Sequence, residues 1–191
     1  MTKGRLEAFS DGVLAIIITI MVLELEAPSG ATLRSLLPLA PSLLSYALSF
    51  VFLGIYWNNH HHLFQAVQRV NGRVLWANLH LLFWLSLIPF ATRWLGENGL
   101  VSLPVALYGL VLLLAACAYY LLVRSLIIVH GSESPLGVAV GRDVKGKISI
   151  LMYAVAIGVS FLSPLPAWVL YVAVALIWLI PDRRIEKTLA S

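Results

Sequence analysis

The sequence predicts an all-α, polytopic membrane protein of six transmembrane helices with both termini in the cytoplasm. Composition is the first reason: 60% of the residues are hydrophobic, 12% are charged and the mean hydropathy is +0.91. A soluble domain runs near about 45–50% apolar and about 25% charged. The second reason is the recurrence of uncharged runs close to the roughly 20 residues that one membrane-crossing helix needs. The third is the placement of basic residues, which crowd into alternate connections. Together these exclude a soluble enzyme, a disordered chain and a disulfide scaffold, the last because Cys117 stands alone and reads as packing.

The spans follow in order as approximately residues 8–26, 36–62, 72–93, 100–128, 145–163 and 165–181, forming a single six-span domain over residues 1–191. The first apolar run is interrupted by Asp11 near its start and Glu24 near its end. No small-x-small cleavage site follows it, so it is retained rather than removed as a signal peptide. Leu36–Trp57, Val74–Thr92 and Leu100–Val123 carry no formal charge over 22, 19 and 24 residues. Ile148–Ile180 is 33 residues long, which as one helix would measure about 50 Å and overshoot a core of about 30 Å. Ser163-Pro164-Leu165-Pro166 divides it into two short halves, a shallow hairpin. The stretch from Gly131 to Lys147 reads as the longest connection.

Charge fixes the parity. Six spans with the N-terminus inside place Lys3, Arg5, Arg69, Arg73, Arg124, Arg142, Lys145, Lys147, Arg183, Arg184 and Lys187 on the cytoplasmic side, against Arg34 and Arg93 outside. An odd count would expose the basic C-terminal residues. The excess of 13 Lys and Arg over 9 Asp and Glu is therefore a topology signal, with contacts to anionic lipid, and not a nucleic-acid footprint.

Polar groups inside a membrane are costly and need a partner or a use. They concentrate in spans one to three, at Arg5, Ser10, Asp11, Thr19, Trp57, Asn58, Asn59, His60, His61, His62, Asn78 and His80. Spans one to three are thus the expected functional core, and four to six the scaffold. Consecutive histidines on a helix point about 100° apart, so the triple at 60–62 cannot chelate one ion. No metal site and no cofactor are expected. Asp11 reads as a helix N-cap and Arg5 as a side chain reaching to phosphate.

In the first span Gly12, Ile16, Thr19, Leu23 and Glu26 recur at spacings of 4, 3, 4 and 3, the period of a helix packing about an axis with copies of itself. Facing its mates, this stripe would make apolar rings at Ile16 and Leu23 with a hydroxyl ring at Thr19 between them, a constriction that gates ions by dewetting. Glu24 and Glu26 would form an acidic outer mouth that concentrates cations. The plainer alternative is a packed helix whose Thr19 hydroxyl bonds the Ala15 carbonyl.

Arg5-Leu6-Glu7-Ala8-Phe9-Ser10-Asp11 resembles the Arg-x-x-x-Phe-Ser-Asp signature that opens the first span of the transmembrane-protein-175 potassium channels. Tyr56-Trp57-Asn58-Asn59-His60-His61 is similar to the end of that family's second span, and Trp76-Ala77-Asn78 with Leu87-Ile88-Pro89-Phe90 to its third. The resemblance implies a channel that favours potassium, with Gly12, Ile16, Thr19 and Leu23 lining the pore and Ile16 as the constriction. It also implies an interhelical hydrogen-bond network of Arg5, Phe9, Ser10, Asp11, Trp57, His61 and Asn78, with the choice among His60, His61 and His62 left open. One six-span repeat per chain implies a homotetramer in the cell membrane. A small proton- or cation-coupled secondary transporter is the other class open to such a chain, although its midplane is short of ionisable groups. A membrane enzyme lacks any motif to support it.

Overall fold

The structure, a computed structural model, describes residues 2–140 and 143–179. Arg142, Arg183, Arg184 and Lys187, which enter the charge count above, lie outside the described residues, as do Ile180 and Pro181 at the end of the expected sixth span.

Among the described residues the chain is entirely helical. Helix α1 spans Lys3–Leu23, and a 3-10 segment at Leu33–Leu39 leads into α2, Ala40–Gln65. Then come α3 (Gly72–Ser86), α4 (Ile88–Asn98), α5 (Ser102–His130), α6 (Pro135–Val140), α7 (Val144–Ser160) and α8 (Pro164–Leu179). Residues 3–23, 33–65, 72–98 and 102–130 are long and apolar enough to cross a membrane, and α8 is a shorter apolar helix.

Several boundaries differ from expectation for local reasons. α1 begins at Lys3 because Arg5-Leu6-Glu7-Ala8 are good helix formers and Leu6 is buried. Asp11 therefore sits inside the helix and does not cap it; the N-cap is Thr2, without a side-chain bond. At the other end α1 stops at Leu23, and the chain runs on to Pro28. Glu26 thus falls past the helix and off the stripe that spacing assigned to it. The third span is two helices joined at Leu87, because Pro89 has no N–H to bond Leu85 and its ring would crowd that carbonyl. It then continues to Asn98 and ends at Gly99, whose φ of 67° suits glycine. The long connection contains α6, where Ser134 Oγ accepts from the Gly137 N–H at 3.1 Å. The division before Pro164 is as expected: α7 has 17 residues and α8 has 16, each about 25 Å long.

α5 is the centre of the fold and packs on α3, α4, α7 and α8. Its small residues admit close neighbours. Tyr171 of α8 donates to the Val105 carbonyl at 3.1 Å and lies so near Gly109 that a Cβ there would collide with the hydroxyl. α1 lies at the edge, against α2, α3 and α4 alone among the larger contacts. That peripheral position decides what its two faces meet.

Candidate pore-lining helix and its polar support

α1 has one face inside the chain and one outside. Leu6, Ser10, Leu14, Ile17 and Met21 are buried against the neighbouring helices. Gly12, Ile16, Thr19 and Leu23 are all exposed, Ile16 at 60% and Leu23 at 76%. The packed-helix alternative is half right: Thr19 donates to the Ala15 carbonyl at 2.8 Å, yet no side of its stripe is covered by this chain. With its proton used inside the helix, the Thr19 oxygen keeps its lone pairs for the exposed side.

Behind α1 a directed chain of hydrogen bonds crosses three helices. His60 Nε2 meets Asn78 Oδ1 at 2.9 Å, Asn78 Nδ2 donates to Ser10 Oγ at 2.9 Å, and Ser10 donates to the Leu6 carbonyl at 2.9 Å. Since an amide oxygen only accepts, His60 carries its proton on Nε2. His60, Asn78 and Ser10 are all buried. Of the three histidines the sequence left open, His60 and not His61 bonds Asn78. The reason is helical phase, because His60 shares the buried side of α2 with Leu53 and Phe64 while His61 points out.

His61 belongs to a second, exposed group. Its ring stacks on Trp57, centroids 6.1 Å apart, and its Nε2 meets Gln65 Nε2 at 2.9 Å. Trp57 Nε1 donates to Asp11 Oδ1 at 3.1 Å, tying α2 to the outward side of α1. Phe9 and Arg5 are exposed on the same helix and join neither group. The expected single network is therefore two: Ser10–Asn78–His60 inside, and Asp11–Trp57–His61 outside.

At the other end of α1, Glu24 and Glu26 line a cleft of about 250 Å³ together with Arg93 and Glu97. Arg93 Nε bonds Glu97 Oε1 at 2.7 Å and its Nη2 stands 3.9 Å from Glu26 Oε1. The cleft expected as an acidic mouth thus contains Arg93, which sequence reasoning placed on the same side but not beside the glutamates. A further polar cluster was missed. Ser49 meets Thr92 at 2.7 Å and Tyr108 at 2.9 Å, joining α2, α4 and α5. Three hydroxyls in three apolar spans are a recognisable signal in sequence, but their pairing is not. Among the described residues no group of three His, Cys, Asp or Glu could hold a metal ion.

Several apolar helices of membrane-crossing length define a multi-pass membrane protein. Residues 5–89 match the family model of the endosomal/lysosomal potassium channel TMEM175. A potassium channel of Chryseobacterium sp. (strain P1-3) is 58% identical over 189 residues, covering 99% of this chain and 98% of that one. The human endosomal/lysosomal proton channel TMEM175 is 32% identical over 103 residues, 48% of this chain and 20% of the human protein. The crystal structure of a lysosomal potassium-selective channel TMEM175 homolog from Chamaesiphon minutus superposes with a TM-score of 0.82 at 28% identity, covering 94% of this chain and 97% of that one. The chain belongs to the TMEM175 potassium channel family.

Proposed function

We propose that this chain forms a homotetrameric, potassium-favouring cation channel of the cell membrane, six spans per copy with both termini cytoplasmic. α1 lines the pore on the axis, Ile16 and Leu23 form the hydrophobic constriction, and Thr19 lies between them. The observation that carries this reading is the exposed stripe of Gly12, Ile16, Thr19 and Leu23 on a helix whose opposite side is fully packed. A groove beside that stripe, lined by Val13, Ile16 and Ile20 of α1 with Pro89 and Phe90 of α4, leaves room for a neighbouring copy. A ring of Ile16 side chains is too apolar to hold water easily and would resist ions until it widens. Potassium preference then rests on pore width and the Thr19 oxygens, with Glu24 and Glu26 raising local cation concentration at the mouth. Potassium is the permeant ion, and no cofactor is required.

Purified protein in liposomes tests this directly. A potassium gradient should drive passive flux that exceeds sodium flux under the same conditions. Because the animal relatives are named proton channels, a pH-sensitive dye is read in parallel. Uphill potassium movement driven by a proton gradient would instead establish a coupled transporter.

A further inference from the structure

The connection between α2 and α3 is fastened by a side chain from a third helix. At its start Val67 donates to the Phe64 carbonyl at 3.1 Å and is buried. At its end the Asn71 side chain accepts from the Val74 N–H at 3.1 Å and so begins α3. Between them, among the described residues, the N–H groups of Gln68 and Arg69 bond no backbone carbonyl. Both point at one atom, Nε2 of His130 on the last turn of α5, each at 3.2 Å. The other ring nitrogen, Nδ1, meets the Leu126 carbonyl at 2.9 Å, one turn back along α5.

These partners decide the state of the ring. A carbonyl only accepts and an N–H only donates, so His130 carries its proton on Nδ1 and offers a bare lone pair at Nε2. This is the opposite tautomer to that of His60, whose Nε2 donates to Asn78. Two successive N–H groups aimed at one point make a spot of positive potential, which a lone pair satisfies. Protonation of Nε2 turns the acceptor into a donor and loses both bonds together. The end of α5 pulls the other way, because the carboxyl end of a helix favours a cation. Two influences of opposite sign meet on one imidazole.

Other ionisable groups stand near the ends of the elements that meet here. They are His61 and His62 of α2, Arg69 on the linker, Arg73 of α3, and Arg124 and Glu133 before and after the end of α5. α6 carries none, while α7, packed along α5, begins with Asp143, Lys145 and Lys147. His61 and His62 engage Gln65, and Asp143 accepts from the Gly146 N–H. Among the described residues no acidic side chain forms an ion pair with His130. The group that holds the linker is thus of the one side-chain type whose charge ordinarily changes near neutrality.

We propose that His130 is an acid-released clasp. Neutral, it pins the linker between α2 and α3, the two helices that hydrogen-bond to α1, onto the end of α5; protonated, it lets that linker go. The proposal does not depend on the pore, since its test reads the linker itself. Hydrogen–deuterium exchange is followed on the full-length protein in detergent at about pH 8 and about pH 5, either side of the usual histidine range. Rates are corrected for intrinsic exchange at each pH, and the lower pH is set where amides in the middle of α5 keep their protection. Gln68 and Arg69 should be protected about tenfold or more at the higher pH, in keeping with two hydrogen bonds, and lose that protection at the lower. His130→Ala should leave both amides unprotected throughout. His130→Gln, whose amide oxygen accepts near the position of Nε2 and does not titrate, should remove the pH dependence. Nitrogen shifts of isotope-labelled histidine should show the His130 proton on Nδ1 at the higher pH and on both nitrogens at the lower. The proposal is overturned if wild-type protection is equal at the two pH values, if His130→Gln keeps the wild-type pH dependence, or if the neutral ring carries its proton on Nε2.

Discussion

Asn78 is the side chain on which three helices depend, since its amide both accepts from His60 and donates to Ser10. Asn78→Ala orphans two buried groups at once, each costing about 1–3 kcal/mol. Thermal unfolding in detergent should drop clearly for Asn78→Ala and His60→Ala and stay near wild type for His61→Ala, which removes an exposed ring. Equal losses for the two histidines would contradict the assignment of His60 to the buried chain. On the exposed side, Ile16→Asn should raise leak current by wetting the constriction. Unchanged conductance in that variant, with the protein folded, removes Ile16 as the gate. Thr19→Ala should shift the potassium-to-sodium reversal potential more than the total current, and a constant reversal potential argues against a role in preference.

Helices in this fold are shaped by what their partners allow. Legible in sequence were the division before Pro164 and the exposed stripe on α1, because proline and period are local properties. The joint at Leu87 was less so: Pro89 announces a disturbance, but whether it ends a span or bends one depends on the packing of α4 against α2 and α5. Contacts between α5 and α8 give the clearest element-level prediction. Gly109→Ala puts a methyl into the Tyr171 hydroxyl, and overpacking of this kind costs typically about 1–3 kcal/mol. Its melting temperature should fall, with partial recovery in Gly109→Ala/Tyr171→Leu, where the colliding hydroxyl and ring edge are both gone. If the double variant is no better than the single, the collision is not the cause.

Assembly is the question for the molecule as a unit. The edge helix α1 leaves its stripe uncovered by this chain, and the proposed pore requires copies to meet there. In a Cys117→Ala background, Leu23→Cys should cross-link between chains under mild oxidation, because residues near a symmetry axis approach their mates. Val155→Cys, exposed on α7 at 49%, should not. Cross-linking at Val155 and not at Leu23 would move the axis to the scaffold face and end the pore assignment.

Composition, run length and period were enough to give the helical membrane class and the α1 stripe, since each depends on residues near one another in the chain. Which histidine enters the buried network and where Arg93 meets Glu26 both required the packed helices. Those outcomes depend on rotational phase and on contacts between residues 18 or more positions apart, as His60 and Asn78 are. One step along a helix turns a side chain by about 100°, enough to send His60 into the core and His61 out of it.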